Sequence, residues 1–154
     1  SEYLRWTGSS LEVGGDVIVT GNLVNNAATK LSEAQQASAH TFSSNSLELV
    51  FETQITLDFA CTIYAVFSGN FGYSAGYKEM FTDIAYSSKP GVSGTMFGGG
   101  AQSSESYITI STGGSVSLSA GTYYIKARAR VVSGTLPSSV QAGNGWIHIL
   151  ESRR

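Results

Sequence analysis

Ile55-Thr56-Leu57-Asp58-Phe59-Ala60-Cys61-Thr62-Ile63-Tyr64-Ala65-Val66-Phe67 is the stretch that decides the fold. Its odd positions are apolar without a break, while the even ones are mostly smaller or more polar. A period of two sustained this long describes a β-strand with one face on a core and the other at least partly wet. The same parity runs back through Leu47, Leu49 and Phe51, with Glu48, Val50 and Glu52 opposite. The whole reads as one long strand, or as two joined by a tight bend near Thr53 and Gln54. Far along the chain, Tyr123, Ile125, Ala127, Ala129 and Val131 alternate with Tyr124, Lys126, Arg128 and Arg130. Two long alternating strands so distant in sequence predict an antiparallel sandwich whose central strands come from both ends of the chain.

The bulk composition agrees. At 154 residues the chain is long enough for one domain, or one domain with a small appendage. Charged residues make up 13 %, about half the usual share, whereas 42 % of the residues are apolar, enough for a core. Such low charge, with many glycines and hydroxyls, fits β structures that bury surface between subunits. A net charge of −2 offers no electrostatic attraction for nucleic acid or an anionic membrane, so neither is an expected partner. No apolar run approaches the roughly 18 residues that span a bilayer, so membrane insertion is not expected. The one cysteine, Cys61, lies on the apolar face of the opening strand and reads as a small core residue. It excludes a disulfide framework and a Cys-rich zinc site. No apolar leader follows Ser1, and a chain opening on Ser rather than Met is expected to be a piece of a longer protein.

Residues 1–24 carry short β-prone pieces separated by Gly8, Gly14-Gly15 and Gly21. Turns recur about every seven residues. Strands this short offer one or two inward side chains each, too few to enclose a core alone. Three copies wound about an axis would enclose one; the alternative is a meander packed on the main domain.

The run Tyr3-Leu4-Arg5-Trp6-Thr7-Gly8-Ser9-Ser10-Leu11-Glu12-Val13-Gly14-Gly15-Asp16-Val17-Ile18-Val19-Thr20-Gly21-Asn22-Leu23 resembles a segment of the central tail fibres and host-specificity proteins of long-tailed bacteriophages. In that family a similar phrase leads towards a C-terminal tip. The likeness covers the first 24 residues or so; beyond them only a Gly/Ser-rich β domain is shared. The resemblance implies a homotrimeric virion protein at the tail end that binds a bacterial cell-surface receptor, glycan or outer-membrane protein, during host adsorption. It names no receptor and no contact residue.

Residues 25–41 change character. Leu23, Ala27, Leu31, Ala34 and Ala37 fall at spacings of three and four, which predicts a short helix or linker capped by Asn25 or Asn26. His40 would sit at its C-terminal end, where an imidazolium is favourable. The expected organisation is therefore a β-stalk (1–24), a small helix (25–41) and a jelly-roll-like antiparallel sandwich of about eight strands (42–154).

Within the sandwich, Ser68 to Tyr77 reads as a loop in which aromatics alternate with glycines. Phe71, Tyr73 and Tyr77 are the first candidates for receptor contact, since exposed rings are unfavourable without a partner. Packing of these rings at the sandwich end or a subunit interface is the alternative. Residues 78–87 predict a strand with Met80, Ile84 and Tyr86 inward. Pro90-Gly91 marks a turn, and Gly98-Gly99-Gly100 predicts a loose segment that presents Met96 and Phe97 as further candidates. No Lys-Ser/Thr follows these glycines, so they are not a phosphate loop. Residues 107–111 and 115–119 read as a short hairpin across Thr112-Gly113-Gly114.

Lys126, Arg128 and Arg130 share one strand face and form the only concentrated positive charge. They suit an acidic sugar or phosphorylated glycan; the competing reading pairs them with Glu48, Glu52 or Asp58 on neighbouring strands. Residues 133–145 read as a long loop. Trp146, Ile147, His148, Ile149 and Leu150 are apolar on both parities, the mark of a strand inside a sheet or at a subunit interface. His148 reads there as a packed residue rather than a ligand.

Catalysis is not expected. Neither His40 nor His148 accompanies a recognisable nucleophile context. Asp58 and Asp83 are the mid-strand acids within reach of a cross-strand pairing, but the chain lacks the length and repeated rungs of a polysaccharide-cleaving β-helix. No catalytic residue, metal ligand or cofactor is assigned. A purely structural trimerisation domain of the fibre and a non-phage carbohydrate-binding trimer are the competing functions.

Overall fold

The computed structural model describes residues 3–6, 11–14, 29–72, 78–104, 107–133 and 141–152. Their regular structure is entirely β: β1 (Tyr3–Trp6), β2 (Leu11–Gly14), β3 (Thr29–Gln35), β4 (His40–Thr41), β5 (Glu48–Leu57), β6 (Cys61–Gly72), β7 (Lys78–Ser87), β8 (Thr95–Ser104), β9 (Tyr107–Leu118), β10 (Gly121–Ser133) and β11 (Gln141–Ser152). β1 and β2 pair with each other in a sheet of their own. The rest form two antiparallel sheets, ordered β5-β10-β7-β8 and β3-β11-β6-β9, with β4 also on β11. From β5 onward every connection changes sheet except the β7–β8 hairpin. That wrapping is a jelly-roll sandwich, as the alternation predicts.

The organising stretch proves to be two strands. Ile55 and Leu57 close β5 in one sheet; Cys61 opens β6 in the other. The corner is Asp58-Phe59-Ala60, not Thr53-Gln54. Three inserted residues keep the parity, so Ile55, Leu57, Cys61, Ile63, Ala65 and Phe67 all enter one core from two sheets. Facing them from β10 are Ile125, Ala127, Ala129 and Val131. Phe67 is fully buried, and its loss to Ala would cost about 3–5 kcal/mol. Upstream, the predicted parity breaks at a bulge: Ala127 pairs Phe51 and Arg128 pairs Leu49, so Val50 is the extra residue and turns inward.

The helix expected over 25–41 is not found in its described part. Residues 29–35 are β3, pairing with β11 in the register Leu31↔Leu150, Glu33↔His148 and Gln35↔Trp146, and His40 and Thr41 make β4. A lone helix of four turns is marginal in water, whereas the edge of β11 supplies a complete ladder, so tertiary pairing overrides local propensity. Nor is His40 a helix terminus. Its Nε2 lies 2.9 Å from Glu48 Oε2, with its ring edge-on to Phe42. Oε1 of the same carboxylate accepts the Ser43 and Ser44 amides at 3.0 and 2.8 Å, fixing the crossover into β5. Burial, the largest single influence, pushes the Glu48 pKa up. The bonds from Ser44, Ser43 and His40 together outweigh it and hold the carboxyl below its ordinary value.

Several predicted loops are also strands, including residues 68–72 within β6 and 141–145 within β11. Gly98-Gly99-Gly100 lies inside β8, and Thr112-Gly113-Gly114 lies inside a continuous β9 rather than turning a hairpin. The glycines serve close approach. β8 and β9 are edge strands of opposite sheets, and their backbones touch where the sandwich closes. A Cβ on Gly98 would stand 2.3 Å from the Gly113 carbonyl oxygen, and one on Gly114 would stand 2.1 Å from that of Phe97. Nearby, the buried Thr82 and Thr112 hydroxyls bond across the core at 2.6 Å.

Gly98→Ala is therefore expected to lose about 1–3 kcal/mol, because backbone must part. Gly100→Ala, whose Cβ meets nothing within 4 Å, should stay within about 0.5 kcal/mol of wild type. Urea midpoints at unchanged slope read both. For Glu48 the folded pKa lies below the unfolded one, so its stabilisation is complete above the unfolded value and disappears as pH falls through the folded one. The stability gap between wild type and Glu48→Gln should thus shrink as pH falls through the carboxylate range, which urea midpoints along an acid pH series would show.

Candidate functional site

β10 alternates so that its core residues face in while Tyr124, Lys126, Arg128 and Arg130 face out from the four-stranded sheet. The connection from β7 to β8, residues 88–94, folds back over this outer face as a strap. Pro90 and Gly91 turn it, Gly91 at φ +98°. Lys126 Nζ donates to the carbonyls of Lys89 at 2.8 Å, Ser93 at 2.9 Å and Gly91, so its three N–H groups meet three carbonyl oxygens of the strap. Glu52 Oε2 stands 3.6 Å from the ammonium and accepts the Gly91 amide at 3.1 Å. Two residues along β10, Arg128 forks onto Asp83 of β7 with Nε–Oδ1 and Nη2–Oδ2 both 2.7 Å, and its Nη1 donates to the carbonyls of Val92 at 2.9 Å and Gly94 at 3.3 Å.

This arrangement corrects the basic-patch reading. The Lys126 side chain is wholly buried, and those of Arg128 and Asp83 are only 7 % and 2 % exposed. These cations hold the strap and are not available to an acidic sugar. Of the acids expected as cross-strand partners only Glu52 serves, beside Lys126; Arg128 takes Asp83 instead, an acid not among those expected, and Glu48 bonds His40. Arg130 is exposed, lying over the Phe81 ring at 5.4 Å.

The aromatic candidates separate as well. Phe71 is not in a loop: it ends β6, is fully buried, and packs against Phe42 and Phe67 at 6.2 and 6.3 Å between ring centroids. Tyr73 and Tyr77 lie outside the described residues. Phe97 is half-buried against Tyr86, which in turn meets Tyr123. Met96 is 54 % exposed at the start of β8, and Val92, which sequence reasoning missed, is an exposed apolar residue of the strap. The strap thus presents the apolar Val92 on a segment tied down by buried cations, and Met96 follows it at the start of β8.

The outer face of the other sheet is different. Register places Leu31, Leu150 and Tyr64 in one cross-strand row and Glu33, His148 and Val66 in the next, with Gln35, Trp146 and Ser68 after them. β11 is central, as predicted, and Ile147 and Ile149 are fully buried. Its other parity is open: Trp146 and Leu150 join Leu31, Tyr64 and Val66 at 36–61 % exposure. His148 stacks on Trp146, its Nδ1 3.2 Å from Glu33 Oε1. At the end of the sandwich, Ala60, Cys61, Thr62, Ser117, Leu118, Ser119 and Ser152 line a hollow of about 340 Å³ that contains no acid–base pair. Among the described residues no three His, Cys, Asp or Glu side chains converge.

No family model matches the chain, and no curated protein matches it in sequence. Among solved structures, one of infectious bursal disease virus, Gx strain, is similar at a TM-score of 0.50 and 7 % identity, covering 97 % of this chain and 37 % of that one. The VP2 subviral particle of infectious bursal disease virus follows at 0.45 and 11 %, covering 91 % and 38 %. A CocE/NonD family hydrolase from Staphylococcus aureus stands at 0.40 and 9 %, covering 98 % and 39 %. The chain spans well under half the length of each. At such identities the likeness concerns the fold alone.

Removing the guanidinium with Arg128→Met leaves the Asp83 carboxylate buried without its partner and should cost about 3–5 kcal/mol. Adding Asp83→Leu should recover most of that loss, and Arg130→Ala should change stability by no more than about 0.5 kcal/mol. Chemical denaturation of the three variants checks the ranking.

Proposed function

We propose that this chain is the tip of a bacteriophage tail fibre, a virion protein that binds a receptor on the bacterial surface, assembles as a homotrimer and does no catalysis. The observation that carries the reading is the joining of two parts in one chain. The Tyr3 to Leu23 phrase, similar to central tail-fibre segments, leads directly into a jelly-roll sandwich. β1 and β2 are built from that phrase and, among the described residues, pair only with each other, in keeping with a stalk that precedes a tip. The sandwich fold is shared with a structure of infectious bursal disease virus, so a place on a virion is compatible with it.

Receptor contact is assigned to Val92 and Met96. Both are apolar and exposed, and a pre-tied strap spends little ordering entropy on binding. Three such weak contacts on one rigid body would act by avidity. The receptor class, glycan or outer-membrane protein, stays as the resemblance implies. A second reading, a structural domain that only trimerises the fibre, is favoured by the open apolar face of β3, β11 and β6.

Fluorescently labelled protein titrated onto a panel of bacterial strains tests the choice. Saturable binding to a subset of strains is expected. Val92→Asp with Met96→Asp should weaken it at least tenfold with the thermal transition unchanged. Undiminished binding by that variant would remove the strap from the site, and a folded protein that binds no strain would leave the structural reading in its place.

A further inference from the structure

We infer that Asn144-Gly145 is a site of spontaneous amide-to-acid conversion, and that Gln36 holds the reaction off in the folded protein. Neither the receptor reading nor the trimer enters into it.

Asn144-Gly145 is the single Asn-Gly step in the chain. It falls at the bulge of β11. Gly143 pairs with Asn70 and Trp146 with Ser68, so Asn144 and Gly145 together stand opposite Gly69. Asn144 is exposed and, at φ +52°, is the one non-glycine residue with positive φ among the described residues. Asparagine takes that left-handed conformation more readily than most side chains, so the bulge favours it. Gly145 is required for a different reason. It is buried, and a Cβ there would stand 2.7 Å from Gln36 Oε1 and 3.0 Å from the Phe67 ring. Local geometry favours Asn at the first position, and packing disfavours any side chain at the second.

The resulting pair is chemically labile. With no side chain on Gly145 to hinder the approach, its amide nitrogen loses its proton and attacks Cγ of Asn144. A C–N bond forms, the bond from Cγ to the side-chain nitrogen breaks, and ammonia leaves with the proton. A cyclic imide remains, and water opens it at one carbonyl or the other. The products are aspartate, or isoaspartate, in which the main chain runs through the side-chain methylene. Nothing is oxidised or reduced, and solvent water is the only co-reactant. Either product adds a carboxylate at the bulge. Isoaspartate also lengthens β11 just before Trp146 rejoins β3 and β6.

In the fold, Gly145 is not at liberty to react. Its N–H donates to Gln36 Oε1 at 3.2 Å, and its carbonyl accepts the Gln36 N–H at 2.7 Å. Gln36 is itself buried, directly after β3, where the neighbouring Gln35 pairs with Trp146. The nucleophile must leave this two-bond clamp before it turns to Cγ, so the reaction proceeds through local opening. A residue more than a hundred positions away therefore sets the lifetime of Asn144.

Incubation of the full chain in mildly alkaline buffer tests this, with conversion at Asn144 followed by peptide mapping and mass spectrometry. Folded wild type should convert about tenfold more slowly than the same chain in guanidinium chloride. Gln36→Leu, similar in size but without the acceptor oxygen, should convert about fivefold faster than folded wild type. Gly98→Ala, which loosens the distant contact of β8 with β9, should leave the rate at Asn144 unchanged. Should Gln36→Leu not fold, hydrogen exchange of the wild-type Gly145 amide decides: protection is expected, and exchange at the unfolded-chain rate overturns the clamp. Three other results overturn the inference. They are a denatured chain that does not convert at Asn144, a folded chain that converts as fast as the denatured one, and equal acceleration by Gln36→Leu and Gly98→Ala.

Discussion

Two sheets share one core in this molecule, and almost every strand must cross between them without turning its apolar residues outward. That constraint shapes the rest. The corner between β5 and β6 holds three residues because an odd insertion between Leu57 and Cys61 keeps the inward parity. The bulge at Val50 spends one extra residue where β5 bends over the core. Where the edges β8 and β9 come together, side chains give way to glycine, and the sheets touch backbone to backbone.

The chain carries few charges, yet it buries two cations completely or nearly so. Neither Lys126 nor Arg128 reaches solvent, and each is satisfied by carbonyl oxygens of the strap together with a carboxylate. A buried charge is tolerable only when its donors are matched, and here the matching acceptors lie on a connection with no regular structure. The strap is therefore positioned by the sheet beneath it. Specific geometry is what such a network supplies, and it fixes the backbone of the strap that carries the exposed Val92.

The two outer faces consequently have different fates. One is partly covered by its own chain, through the strap over Lys126 and Arg128; the other leaves Leu31, Tyr64, Val66, Trp146 and Leu150 exposed.

Alternation alone was enough to read the strands, the all-β class, the sandwich and most of the core, because burial of every second side chain is written into local order. Met80, Ile84 and the apolar set of β10 were legible for that reason. Other features depended on residues far away in sequence. Residues 29–35 carry a helical spacing, but the edge that turns them into β3 belongs to β11, more than a hundred positions on. Gly98 and Gly114 look like loop residues until the two edges are seen in contact. Phe71 looks exposed until β6 is extended through it, and Lys126 and Arg128 look like a binding patch until a strap folds back over them. Periodicity reports whether a side chain is inside or outside. What stands across from it, and hence whether a glycine, a ring or a cation serves packing or binding, is decided by long-range pairing that only the tertiary structure holds.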